Sequence, residues 1–386
     1  PMAPQHRLPR RPAASSQCWV DDPLNGIDVP SWDLNKTSKR RSSEMQAITV
    51  GLDIAKSVFQ VHMENEQGQL VKQQRLRRAQ VKPFFKKLPA CVVGIEACGS
   101  AHYWARELQA LGHEVRLIPA AYVTPFVRRN KTDSRDAAAI CTALKQPDMR
   151  FVRVKSPEQQ ASRSLERSRD LLVRQHTQLC NSLRCQMAEH GIIAAQGRRG
   201  FAALIEVLES GNACLPDALV PVLQVLRAQI AGLADAIAEL EARIVKTAKT
   251  NPDMRRLATI PGVGPILAHA IVSAIGDGRQ FSSSRDFAAW AGLTRRVHAT
   301  AGKNKGKKGI SRQGDNHLRK LFALGASTVM RQVRLRDDRG TAWQRGILAR
   351  RPVKVAVLAQ AAKTARIAWA VLTSGGIYQS HAAQAA

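Results

Sequence analysis

Acidic residues are scarce in this chain. Thirty Asp and Glu stand against 59 Lys and Arg in 386 residues, a formal net charge of +29, and the isoelectric point lies near 10.8. Such an imbalance favours a polyanionic partner, because every neutralised phosphate releases condensed counterions. Aromatics make up only 5%, and no basic amphipathic anchor accompanies them, which argues against a membrane-surface protein. The seven cysteines (Cys18, Cys91, Cys98, Cys141, Cys180, Cys185, Cys214) are odd in number and contain no C-x-x-C pair. That excludes a disulfide framework and a zinc ribbon and points to a reducing compartment. No signal-peptide pattern opens the sequence. The run from Ala258 to Gly276 lacks charge, but Pro261, Gly262, Gly264 and Pro265 break it, leaving too little to span a bilayer. A cytoplasmic, nucleoid-associated bacterial protein with no membrane partner is expected.

What is present suffices for folded cores, since 44% of the residues are apolar. The length calls for two or three domains. Residues 1–44 are rich in Pro, Ser and Arg and lack periodicity. They are expected to be disordered, or an upstream non-native extension with Met45 as the natural start.

Residues 45–150 read as an α/β domain. Strands are expected over Ala47–Asp53, Val58–Met63 and Leu70–Leu76, a helix near Val81–Leu88, and a strand buried on both faces at Cys91–Ile95. Helix His102–Leu111, strand Glu114–Ile118 and helix Ser134–Leu144 follow. An RNase H-like order is one of several mixed sheets this succession allows.

Residues 151–250 read as a helical, coiled-coil region. Leu165, Leu172 and Leu179 recur by heptads, and Leu223, Leu226, Ile230, Leu233, Ile237, Leu240 and Ile244 form an a/d seam. The two segments can pair as an antiparallel hairpin or join a second chain. Residues 251–386 read as helices with basic loops. Ile260-Pro261-Gly262-Val263-Gly264-Pro265 is similar to a helix-hairpin-helix turn, whose glycines, here Gly262 and Gly264, let backbone N–H groups approach phosphate. From Gly292 to Lys320 nine Lys/Arg face one acid, Asp315. Arg295, Arg296, Lys303, Lys305, Lys307, Lys308, Arg312, Arg319 and Lys320 are therefore candidate contacts to a nucleic-acid backbone, together with Lys131.

Four acids carry the chemistry. Asp53 and Glu96 end apolar strands, and Asp133 and Asp136 lie three apart at a helix start, on one face. Taken singly, each is a capping residue. Taken together, they are hard oxygen donors converging from separate elements, as Mg²⁺-dependent phosphodiester chemistry requires. Clustered carboxylates would also repel one another without a cation.

Three blocks carry a family resemblance: Gly51-Leu52-Asp53-Ile54-Ala55-Lys56, Glu96-Ala97-Cys98-Gly99-Ser100-Ala101-His102-Tyr103 and Asn130-Lys131-Thr132-Asp133-Ser134-Arg135-Asp136-Ala137. They resemble the DEDD-type insertion-sequence transposases, relatives of the Piv-type DNA invertases. Ile260–Gly264, Ala291-Gly292-Leu293-Thr294 and Ile310-Ser311-Arg312-Gln313-Gly314-Asp315 extend the resemblance over roughly Met45 to Tyr378. The resemblance implies a RuvC-like (RNase H-like) N-terminal domain, a helical coiled-coil middle and a helical C-terminal transposase domain. It implies Mg²⁺, or Mn²⁺ in its place, on Asp53, Glu96, Asp133 and Asp136. It also implies donor and target DNA, a structured guide RNA, and self-association as a dimer or tetramer.

The family further implies a serine nucleophile in a loop similar to His298-Ala299-Thr300-Ala301-Gly302-Lys303. Here the chain departs, for Thr300 is the sole hydroxyl in that loop. Threonine can attack once activated, although its methyl group restricts approach. Three readings stay open: a transposase, a RuvC-like nuclease that uses water, and a catalytically impaired nucleic-acid-binding relative.

Overall fold

The computed structural model describes residues 49–127, 133–211, 215–296, 299–300, 303–304, 309–336, 338 and 340–379. All belong to one compact unit, Gln46–Ala386. The expectation for residues 1–44 lies outside the described residues, as do Lys131, Lys305, Lys307 and Lys308, and the side chains of Asp133, Thr300 and Lys303.

Five strands form one sheet: β1 (Thr49–Ile54), β2 (Val58–Glu64), β3 (Leu70–Arg77), β4 (Val92–Glu96) and β5 (Glu114–Ile118), in the order β3-β2-β1-β4-β5. The first three are antiparallel, and β1, β4 and β5 run parallel. The expected strands and helices of this region all form, with ends shifted by a residue or two. The interior of β4 is buried on both faces, as its unbroken apolar run requires. Lys72, Arg75 and Arg77 lie on the outer strand β3, where charge discourages edge-to-edge pairing.

Alternation along the strands sorts the side chains. Val50, Leu52, Phe59, Val61, Val93 and Ile95 join a core with α1 (Val81–Lys86) and α2 (Ala101–Gln109), including Phe85, Trp104 and Leu108. The opposite face is covered by α3 (Ala120–Val123) and α4 (Asp133–Leu144). There β1 and β4 present Gly51 and Gly94, which pair across the strands. A Cβ on Gly51 would collide with the Ala137 carbonyl oxygen, and one on Gly94 with Leu144 and Ile140. The glycines are what let α4 lie directly on the sheet.

Beyond Ser156 the chain is helical: α5 (Pro157–Ala188), α6 (Arg198–Ser210), α7 (Val220–Thr250), α8 (Pro252–Leu257), α9 (Pro265–Ile275), α10 (Ser284–Trp290), α11 (Asn316–Leu335), α12 (Ala342–Arg350) and α13 (Val353–Ser374). Strands do not vanish altogether, because β6 (Ala299–Thr300) and β7 (Lys303–Asn304) form a small hairpin. The heptad segments are α5 and α7. They pack on each other within one chain, with Leu183 and Met187 of α5 meeting Leu223 and Ile230 of α7 and Arg169 meeting Glu241 further along. The running order is antiparallel, and Leu223, Ile230 and Ile244 of the seam are buried while Leu226, Leu233, Ile237 and Leu240 are half-buried. By length and composition α7 and α13 could each cross a bilayer. Here α13 gives Ala361, Ala365, Ala368 and Leu372 to the core formed with α8 to α11.

The first half of α5 is fastened to that C-terminal core by charge. Glu166, fully buried, accepts from His269 of α9 at 2.6 Å and from His317 of α11 at 3.2 Å. Beside it Arg163 pairs with Asp315, and Asp170 with Lys320 at 2.9 Å. Burial pushes the Glu166 carboxyl up, but the two histidines outweigh it and hold it below its ordinary 4.5. A depressed carboxyl stabilises the fold above its unfolded pKa, and that stability is lost as pH falls through the folded value.

Two predictions follow from this packing. Gly51→Ala should cost about 1–3 kcal/mol through overpacking, read as a fall in denaturation midpoint. A variant as stable as the parent would mean that α4 does not bear on β1. Glu166→Gln should cost about 1.5–3 kcal/mol near neutral pH and flatten the loss of stability below pH 4.5, measured by urea unfolding across the acid range. An unchanged acid limb would assign that limb to other carboxylates.

Candidate active site

The geometry begins with the two glycines. Asp53 and Glu96 follow Gly51 and Gly94 by two residues, so they point to the same sheet face, the one under α4. Leu52 pairs with Ile95, and the next rung sets Asp53 beside Glu96 on neighbouring strands, roughly 5 Å apart. Both are half-buried at the C-terminal ends of their strands. Their joint field is felt by one neighbour: burial, then Glu96, then Asp53 raise the Cys98 thiol above its ordinary range.

The helix brings the third acid. Asp136 adjoins Ala137, whose carbonyl lies over Gly51, and is 9% exposed. Its backbone is thereby fixed above the strand that ends in Asp53. Asp133 opens the same helix, and its side chain lies outside the described residues. The structure thus sets Asp53 and Glu96 side by side at one end of the sheet, on the face covered by the helix that carries Asp133 and Asp136.

Another trio lies on the same face. His62, Glu64 and Cys141 bring donor atoms within 4.8 Å of one another. They are closed by their own bonds: His62 Nε2 to Glu64 Oε1 at 2.9 Å, Lys145 Nζ to Glu64 Oε2 at 2.5 Å, and the Cys141 thiol donating to the His62 carbonyl at 3.3 Å. Burial pushes that thiol up to about 12, and a protonated sulfur suits a hard cation poorly. The carboxylate group is the better centre.

In the C-terminal region the predicted residues separate into two kinds. Arg295, Arg296 and Arg312 are exposed, with Arg312 held at a left-handed φ of 59°. Arg296 donates to the Ser311 carbonyl at 3.4 Å, Arg319 to the carbonyls of Ala291 and Gln313, at 3.2 and 2.9 Å, and Lys320 is the partner of Asp170. Arg319 and Lys320 hold the fold together. Gly262 is also engaged, because a Cβ there would meet the Gly325 carbonyl at 2.8 Å. Its left-handed turn serves packing against α11, whereas Gly264 is open at the start of α9. Thr300 pairs with Lys303 across the β6–β7 hairpin. The hydroxyl residue and a lysine of that loop thus occupy one rung.

Sequence reasoning missed the glycines' purpose and the buried Glu166. Its neighbour Leu165 continues the heptad, and a charge beside it looks like a solvated face. Two histidines more than a hundred residues away satisfy it, with no local signal.

Comparison with known proteins identifies the family. A DEDD transposase model of the IS110 type matches residues 50–192, and the model of the transposase IS116/IS110/IS902 family matches residues 254–339. A Pseudomonas aeruginosa protein called "Probable family 20 transposase" is 44% identical over 337 residues, 87% of this chain and 99% of the relative. The transposase for insertion sequence element IS1111A of Coxiella burnetii is 35% identical over 93% of this chain and 99% of its own length. A pilin gene-inverting protein of Moraxella bovis is 31% identical over 100 residues, 25% of this chain and 31% of its own. The chain belongs to the IS116/IS110/IS902 family of transposases, and is a DNA-recombining enzyme of the insertion-sequence kind.

Proposed function

We propose that this transposase cuts and joins DNA at a divalent-metal centre held by Asp53, Glu96, Asp133 and Asp136, in a RuvC-like (RNase H-like) domain guided by a structured RNA. The observation that carries the reading is the placement of Asp53 and Glu96 on neighbouring strands, on the sheet face covered by α4, the helix of Asp133 and Asp136. The order β3-β2-β1-β4-β5, three strands antiparallel and two added in parallel, supports the RuvC-like assignment.

The donor set is carboxylate oxygen throughout, which fits Mg²⁺ or Mn²⁺. Bound there, the cation would neutralise charge on the scissile phosphate and favour the attacking oxygen. The protein's own part is positional. Strand-borne Asp53 and Glu96 are fixed by the hydrogen-bonded ladder, and Asp136 by the helix that the glycines admit. Exposed Arg295, Arg296 and Arg312, with Lys131, Lys303, Lys305, Lys307 and Lys308, are assigned to the phosphate backbone, which orients DNA without reading its bases.

Thr300 is the nucleophile in this reading. Its hydroxyl oxygen bonds to the scissile phosphorus as the bridging P–O bond breaks, and the hydroxyl proton passes to the departing strand's oxygen. Exchange between two DNA molecules calls for several copies of the centre, so the reading includes self-association as a dimer or tetramer. A nuclease reading would need only the carboxylates and water, and the threonine in place of serine keeps it in the test.

Strand exchange between donor and target DNA, with Mg²⁺ and RNA from the flanking element, tests both. Asp53→Asn should reduce joined product by about two orders of magnitude or more, the effect of losing several kcal/mol at the metal centre. Exchange that survives it would sink the metal-centre assignment, and exchange without RNA would sink the guide. Thr300→Ala should abolish the covalent protein–DNA species, seen as a band resistant to denaturant, while fold and DNA binding persist. Hydrolysed ends with no covalent species in the unaltered protein would instead establish the nuclease.

A further inference from the structure

A cavity of about 770 Å³ opens where α2, β5, the segment from Phe151 to Ser156 and the turn after α9 meet. That is the size class of a ligand pocket, and it lies apart from the four acids. Arg106, Arg116, Arg153, Lys155 and Arg279 line it, and Asp277 is its single carboxylate. Some of this charge is engaged: Arg153 pairs with Asp277, and Arg116 with Glu114 just outside, at 2.6 Å. Arg106 spends one nitrogen on the Lys155 carbonyl and on Gln160. The excess of cations remains, and Arg163 and Arg167 of α5 add to it around Lys155.

Two groups register that excess. Burial, then Arg163 and Arg167, lower the Lys155 ammonium from its ordinary value, with Asp315 opposing. His102, whose Nδ1 accepts from the Lys155 N–H at 3.2 Å, is held down to about 4 by burial, then by Lys155, Arg106 and Arg167. Cations crowded enough to discourage one another are stabilised by whatever anion enters. Phe151 lies in the same lining, with the Arg116 guanidinium 5.2 Å from its ring centroid. A basic trough of this kind is the pattern by which proteins track a single strand, the cations following its phosphates.

We propose that this groove binds the sugar–phosphate backbone of one nucleic-acid strand, at a site separate from the carboxylate centre. Its lining comes from both ends of the chain, residues 106–156 and 277–280. A bound strand therefore ties the sheet domain to the helical C-terminal core, across the junction now held by Arg153 and Asp277.

The test uses the full chain with labelled oligothymidylate and oligouridylate of about ten nucleotides, and a duplex of the same length. Lys155→Gln with Arg279→Gln should weaken binding of the single strands about tenfold or more. It should also lower the slope of log affinity against log salt by about 1.4, at 0.7 per phosphate contact. Duplex binding should hold, which separates this site from contacts to double-stranded DNA elsewhere on the chain. Preference for oligouridylate would assign the strand to RNA, and equal binding to the backbone alone; both support the site. An unchanged affinity and slope in the double variant overturns the proposal, as does a duplex that displaces the strand as well as the strand itself.

Discussion

Gly51 and Gly94 face α4 from neighbouring strands, and the helix backbone and its apolar side chains occupy the space that two Cβ atoms would fill. That contact sets the height of α4 above the sheet, and the acids depend on it. Asp53 and Glu96 are placed by the strand ladder alone, but Asp136 belongs to a helix whose height over that sheet face is set by the glycines. A larger residue at either glycine would lift the helix, and the reacting end of the sheet would open. Ile140, Ala143 and Leu144, a little further along α4, anchor the helix by burying apolar surface.

A second constraint ties the long arm to the C-terminal core. Along its far half α5 packs on α7 by an apolar seam, which resists separation but tolerates sliding. Its near half is held by Glu166 between two histidines and by Arg163 on Asp315, which fix register. A buried carboxylate between hydrogen-bond donors gains little over an apolar substitute and loses much when a partner is removed. Its value is specificity of docking. Asp315 has a double duty, since it also caps α11 by accepting from Leu318 N–H at 3.0 Å. The Gly292–Asp315 segment is thereby anchored to the arm at its end, and it carries the exposed Arg295, Arg296 and Arg312.

The N-terminal fold was legible because its signals are local. Period-two alternation and the apolar run at Cys91–Ile95 located the strands. The carboxylates stood out because Asp53 and Glu96 end such strands and Asp133 and Asp136 open a helix. The roles of the basic residues were less legible, because Arg319 and Lys320 look the same as Arg295 and Arg312 until one knows that carbonyls and Asp170 lie within their reach. Gly262 was ambiguous for a similar reason. A glycine with φ of 85° suits approach to a phosphate as well as approach to Gly325, and only the tertiary contact decides. Composition pointed to a polyanion without locating it, because a charge total carries no position.

The scarcity of acids has a structural counterpart. Four are allotted to the candidate metal centre. Others with assigned partners join distant parts of the chain: Glu166 to His269 and His317, Asp315 to Arg163, Asp170 to Lys320, Asp277 to Arg153, Glu241 to Arg169. Carboxylates are thus committed to holding pieces of the protein together, and cations outnumber them about two to one. The unmatched remainder is left for phosphate. A chain built on this plan gains part of its cohesion from its ligand, since nucleic acid supplies the negative charge that the sequence omits. It follows that stability and nucleic-acid binding are coupled through ionic strength. Salt that weakens the hold on phosphate also screens the repulsion among the cations left behind, so the free protein gains from salt while the complex loses by it.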